Sequence, residues 1–174
     1  ALVVGKASGS DFASFLRQRI FLPLGMTHTL AHQDGVDDVP NRAYGYSEID
    51  GRWERTDQST TSAVLGDGGI YSSIDDLAKW DAALYDERLL RRSSLQQAFS
   101  PANRTDEPDV PYYGFGWRIN GQALWHSGES IGFRNVIVRY PAQKLTVIML
   151  TNRNAPEPYA MAIDIARRWL DAAR

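Results

Sequence analysis

The chain has 174 residues, enough for one domain with a sizeable buried core, and its 43% apolar and 23% charged residues are the ordinary balance of a soluble globular fold. A net charge of -2 excludes the basic surface that a nucleic-acid groove requires, and no apolar run approaches the ~18 residues of a membrane span. The lack of cysteine excludes disulfides, thiolate metal sites and cysteine nucleophiles.

The chain opens apolar at Ala1-Leu2-Val3-Val4, which suits the tail of a helix that begins further upstream. Ser10 reads as the cap of a second helix, with Asp11 in its first turn and Phe12, Phe15, Leu16 and Ile20 on one face; Pro23 and Gly25 end it. Residues 26–60 are polar and rich in turn signals, at Asp34-Gly35, Pro40-Asn41 and Asp50-Gly51, with a hairpin of strands at 43–49 and 52–56. Gly66-Asp67-Gly68-Gly69 is a tight turn. Ser73 and Asp76 form a capping-box pattern for a helix that aligns Leu77, Trp80 and Leu84, and a short helix runs from Ser93 to just before Pro101. Residues 101–111 read as a polar, proline-bearing connection. Strands follow at 113–119, 123–127, 134–140 and 145–151, the first two joined by Asn120-Gly121. The strand 145–151 is apolar on both faces and is expected to be covered on both. Pro158 opens a last amphipathic helix carrying Tyr159, Ala162, Ile163, Ala166, Trp169 and Leu170.

Few patterns along the chain carry chemistry. Gly128-Glu129-Ser130-Ile131-Gly132 matches G-x-S-x-G, but a nucleophile elbow needs a helix after the turn and a histidine later in the chain. The residues after it, 133–138, are strand-like, and His28, His32 and His126 all precede Ser130, so the glycines suit a turn or a close backbone approach. His28 and His32 have the i, i+4 spacing of metal ligands, with Asp34, Asp37 and Asp38 nearby; Thr27, Thr29 and Gly35 make a poor helix, and a solvated loop without metal is expected. The 66–69 turn lacks the Lys-Ser/Thr ending of a phosphate loop, yet its place before a helix makes Gly68 a candidate pocket wall and substrate-binding position. Tyr112, Tyr113, Phe115 and Trp117 form an aromatic strand, either packed on the sheet or offered to a ligand. Asn152 and Asn154 either cap turns or donate to a substrate carboxylate. His126-Ser127-Gly128 places a polar triplet on a strand, ended by a glycine.

These segments stand in the order of a known family. Leu22-Pro23-Leu24-Gly25-Met26 at the end of segment 15–26, Gly69-Ile70-Tyr71-Ser72-Ser73 at the start of segment 69–80, Tyr113-Gly114-Phe115-Gly116-Trp117, His126-Ser127-Gly128, Gly132-Phe133 and Leu150-Thr151-Asn152-Arg153-Asn154 resemble the serine β-lactamase and penicillin-binding-protein-like hydrolases, in the branch of class C β-lactamases, DD-peptidases and esterases. The family's nucleophile lies in Ser-x-x-Lys and its proton-transfer partner in Tyr-x-Asn. Neither occurs here: the residues three before Lys6, Lys79 and Lys144 are Val3, Asp76 and Pro141, and no tyrosine has asparagine two positions on. The opening Ala1-Leu2-Val3-Val4-Gly5 resembles the stretch just after the tyrosine motif, so the chain is expected to be the C-terminal portion of the domain.

The resemblance implies that His126-Ser127-Gly128 stands where most β-lactamases carry Lys-Thr/Ser-Gly, that the backbone N–H of Glu129 is an oxyanion donor, and that Asn154 lies near the substrate carboxylate. Histidine titrates near neutrality where lysine stays charged, so activity of the full-length protein is expected to vary with pH around 6–7 through His126. The implied fold is α+β: an incomplete β-lactamase-like domain over 1–174, with a helical and loop region at 1–111 and, at 112–174, an antiparallel sheet whose C-terminal helix packs on one face, the helical region on the other. The implied activity of the parent protein is acyl-serine hydrolysis of an ester, amide or β-lactam without cofactor or metal, in a periplasmic or secreted setting; this chain alone, lacking the nucleophile, is expected to be inactive. The alternatives are a non-catalytic domain or pseudoenzyme binding a peptide or other ligand, and a structural or oligomerising module. The edge of strand 145–151 is expected to be closed by an N-terminal polypeptide, by a symmetry mate, or by unordered residues.

Overall fold

The computed structural model describes residues 1–33, 38–57 and 64–173. Helix α1 (Leu2–Ser8) leaves Leu2 and Val3 exposed. Helix α2 (Phe12–Leu16) is capped by Asp11 and not by Ser10: Asp11 is extended, and its carboxylate accepts from the Ser14 N–H at 2.9 Å. The same bond holds the Asp11 carboxyl below its ordinary range. The helical path then widens into a π-helical turn (Arg17–Phe21) and continues as α3 (Leu22–Leu24), through Pro23. Proline is tolerated because it sits in the first turn of α3, where the forfeited N–H is least missed, and it is Gly25 that ends the path.

The polar stretch beyond it holds a strand that the turn signals concealed. β1 (Leu30–Ala31) pairs with β4 (Ile70–Tyr71), while β2 (Tyr46–Ile49) and β3 (Arg52–Arg55) form the expected hairpin around Asp50-Gly51. The expected turn at Asp34-Gly35, with Asp37, lies outside the described residues. Helix α4 (Ile74–Ala83) is capped by Ser73, which accepts from the Asp76 N–H. The capping box is only half made. Asp76 is fully buried and turns away from Ser73 to accept from the His28 N–H (2.7 Å), the Thr29 hydroxyl (2.9 Å) and the Lys79 ammonium (2.7 Å). Burial alone would raise its pKa, but these three donors hold it below 3.8. Asp76 thus pins the loop before β1 to α4.

Helix α5 (Arg92–Ala98) precedes a six-stranded antiparallel sheet among the described residues, in the order β10-β9-β8-β7-β6-β5. The segment read as a connection supplies its outer strand, β5 (Asn103–Glu107), and the start of β6 (Val110–Tyr113). Only Val110 of that segment is buried, so apolar alternation had no chance to announce it. The expected strand 113–119 is broken in two: the Gly114 N–H donates to the Trp117 carbonyl, closing a tight turn across Phe115-Gly116 before β7 (Arg118–Asn120). β8 (Ala123–Ser130) runs through Gly128 and does not end there; it turns at Ile131-Gly132 into β9 (Phe133–Tyr140), and a short 3-10 turn (Pro141–Gln143) leads to β10 (Leu145–Thr151).

Helix α6 (Tyr159–Ala172) packs Ala162 and Ile163 with Trp125, Val136 and Val138 on one face of the sheet, and also buries Ala166. The opposite face, with Trp117, Ile119 and Leu124, packs on Trp80 of α4 and on Leu84, which caps that helix. Both helices touch β10, so that strand is covered on both faces as expected. Trp169, read as part of the buried stripe, lies outside it and is 52% exposed. The aromatic strand splits likewise: Trp117 is core, stacked on Trp80 at 5.9 Å, while Phe115 is 62% exposed.

Candidate active site

The register of the sheet builds the site. β7 covers β8 only over Ala123, Leu124 and Trp125, which oppose Asn120, Ile119 and Arg118. Beyond that point β8 continues from His126 to Ser130, paired with β9 on one side and with no strand on the other among the described residues. A free strand edge offers backbone N–H and C=O groups to an extended ligand.

His126 is exposed at the start of this edge. Its Nδ1 lies 2.6 Å from the Gly116 carbonyl, which only accepts, so Nδ1 carries the proton and Nε2 is left as the outward atom. Neutral His126 therefore presents an acceptor, and protonated His126 a cationic donor. The turn that breaks the aromatic strand thus orients the histidine. Ser127 receives a hydrogen bond from Arg118 Nη1 at 3.0 Å. Arg118 pairs with Trp125 and so stands diagonal to Ser127 on the same face. The permanent cation beside the triplet is thus Arg118, which the motif reading passed over. The expected turn Asn120-Gly121 would have opposed Arg118 to Ala123; the loop falls one residue later, at Gly121-Gln122, and it is this register that sets Arg118 opposite Trp125.

Further along, Glu129 forms an ion pair with its cross-strand partner Arg134 at 2.7 Å. Ser130 ends β8 opposite Phe133, followed by strand and not helix, so its surroundings are those of a hairpin and not of a nucleophile elbow. Glu129, Ser130, Gly132, Arg134, Ser47 and Asn154 line a recess of about 430 Å³. Its far wall includes β2, which contributes Ser47. The Tyr46 N–H donates to the Gly132 and Asn152 carbonyls, Asn152 Nδ2 donates to the Tyr44 carbonyl, and Asn154 accepts from the Glu48 N–H at 3.1 Å. The two asparagines thus bind the β2–β3 hairpin to the end of β10, with the Asn154 carbonyl oxygen engaged in that task.

The structure brings Glu129 and Asn154 into one recess and runs His126, Ser127 and Gly128 along the edge leading to it. Gly68 stands apart, in the turn after Val64, whose carbonyl accepts its N–H. His28 and His32 are separated by strand β1: the His28 N–H goes to Asp76, and the His32 ring meets Tyr71 edge-on at 5.4 Å. No metal-binding cluster occurs among the described residues, and no described helix is long and apolar enough to cross a membrane.

Comparison with known proteins matches residues 1–170 to the family model described as Beta-lactamase. The chain is 32% identical to penicillin-binding protein 4* of Bacillus subtilis over 94% of its own length and 40% of that protein. It spans about two fifths of the length of this curated relative. The octameric penicillin-binding protein homologue from Pyrococcus abyssi superposes with a TM-score of 0.86 at 23% identity, over 97% of this chain and 40% of that one. The D-amino acid amidase from Ochrobactrum anthropi SV3 superposes with a TM-score of 0.83 at 20% identity, over 99% of this chain and 56% of that one. These two likenesses concern the fold.

Proposed function

The chain belongs to the Beta-lactamase family, and from that premise we propose that it forms the substrate-receiving wall of an acyl-transfer site in a serine hydrolase. The observation that carries the proposal is the free edge of β8 from His126 to Ser130, flanked by a permanent cation at Arg118 and an oriented imidazole at His126. An extended acyl chain with an ester, amide or β-lactam carbonyl lies along that edge. The Glu129 N–H is the oxyanion donor on it, which preorganises charge stabilisation where the tetrahedral oxygen develops. Arg118 and, when protonated, His126 draw the substrate's anionic group. Neutral His126 supplies an acceptor at Nε2, the proton-transfer capacity that a lysine at that position lacks at neutral pH.

The acyl-accepting serine lies outside residues 1–174 in this proposal, since none of the three lysines follows a serine at the Ser-x-x-Lys spacing. The outer side of β10 is the place for the polypeptide that carries it. Among the described residues that strand has a neighbour on one side only, and open edges recruit strands. The test is covalent labelling of the whole encoded protein with a fluorescent penicillin or an activated ester, followed by peptide mapping. Label on a serine beyond residues 1–174, with the isolated chain unlabelled, supports the proposal. Label on Ser127 or Ser130 refutes it, and no label on any serine of the whole protein favours a non-catalytic ligand-binding domain.

A further inference from the structure

On the opposite side of the sheet from α6, Arg139 is buried with 1% of its side chain exposed. Its Nε donates to Asp81 of α4, whose other oxygen accepts from the Thr146 hydroxyl at 3.0 Å. That arrangement uses one N–H. Nη1 and Nη2, with four N–H groups between them, have no hydrogen-bond partner among the described residues, and neither does the buried hydroxyl of Tyr85. The guanidinium carbon lies 4.9 Å from the Tyr85 ring, 5.3 Å from the Phe99 ring and 5.5 Å from the Trp117 ring, a cage that holds the plane without supplying an acceptor. Buried donors of this kind are rare, because each costs the desolvation it does not recover.

Arg139 also lines a recess of about 500 Å³ between the end of α4, helix α5 and Pro141. Leu84, Leu95, Phe99 and Pro141 make its walls apolar. The acidic groups at its mouth are engaged: Asp86 pairs with Arg88 at 2.8 Å, and Glu87 accepts from the Arg92 N–H at 3.2 Å. A largely apolar recess lined in part by a guanidinium with unclaimed donors has one chemical complement.

We propose that this recess binds a small carboxylate with an apolar body, its two oxygens meeting Nη1 and Nη2 of Arg139 side by side and its aryl or alkyl part lying against Leu95 and Phe99. Asp81 occupies only the Nε side, so it fixes the fork without blocking it. The site stands apart from the β8 edge and does not depend on how that edge functions.

The experiment titrates the whole protein with phenylacetate, phenylacetamide and benzyl alcohol, following the Arg139 side-chain N–H resonances and calorimetric affinity. Phenylacetate is expected to shift those resonances and to bind about tenfold or more tightly than the neutral analogues, the difference a paired charge-assisted fork supplies. Arg139→Lys, which keeps the charge opposite Asp81 but loses the fork, removes the preference for the acid. Gln96→Trp, an exposed substitution that fills the mouth, abolishes binding of all three while leaving circular dichroism unchanged. Equal affinity for acid and alcohol, or no change in the Arg139 resonances because the donors are met by water only, overturns the proposal.

Discussion

Gly132 is the point where the site and the β2–β3 hairpin touch, and replacing it by alanine separates two effects. Gly132 has φ +75, and a Cβ there would come within 2.6 Å of the Gly45 carbonyl carbon, 2.7 Å of the Gly45 Cα and 2.7 Å of the Tyr46 nitrogen. Those are backbone atoms, so relief requires the hairpin to move. Gly121, in the turn between β7 and β8, shares a left-handed backbone (φ +59), but a Cβ there meets nothing within 4 Å. Gly121→Ala therefore costs only the backbone penalty, about 1–2 kcal/mol. Gly132→Ala adds the loss of contacts that dock the hairpin, chiefly the Tyr46 N–H to the Gly132 and Asn152 carbonyls and the Asn154 N–H to the Tyr46 carbonyl. The Tyr46 N–H is shared between its two acceptors and counts once, so two net hydrogen bonds at about 1 kcal/mol each bring the total, with the backbone penalty, to about 3–4 kcal/mol. Urea unfolding of the two variants, at unchanged m-value, measures the difference, and amide exchange at Tyr46 reports whether the hairpin lifts. Equal destabilisation of the two variants, within ~0.5 kcal/mol, would show that the close approach of Gly45 and Gly132 does not hold the hairpin.

Other expectations follow from single contacts. Asp76→Asn is expected to cost roughly 2–3 kcal/mol at pH 7, since three donors lose a charged acceptor. Because the folded pKa of Asp76 is lowered, its contribution is present above 3.8 and fades as pH falls through the lower folded value, so the asparagine variant loses less stability than the parent on acidification. Trp125→Ala, at 3% exposure under α6, is expected to cost about 3–5 kcal/mol, whereas Trp169→Ala stays within ~0.5 kcal/mol; thermal or urea melts of both check the facing of α6. In the whole protein, Arg118→Met is expected to lower kcat/KM about tenfold for a carboxylate-bearing substrate and little for a neutral ester, as measured by steady-state kinetics.

Elements whose signal is local were legible from residue order alone. Asn120-Gly121 marked a hairpin whose loop falls one residue later, at Gly121-Gln122, the run 145–151 matched β10 to the residue, and Ser73 capped α4, because turn chemistry, apolar runs and capping act over a few neighbouring residues. Where the pattern was written in backbone contacts, it did not show: β5 is polar throughout, β1 is two residues long, and the break at Gly114–Gly116 depends on hydrogen bonds across the turn.

What folding alone decided was which distant groups became neighbours. Arg118 reached Ser127 through the register of β7 on β8, and Gly116 aimed the imidazole of His126. Arg139 reads as one charge in an apolar strand until α4 brings Asp81 to it and a cage of rings closes around it. Local propensity sets what each segment is, but a site is made by groups that lie far apart in sequence, and only the packing of one face against another fixes their distance.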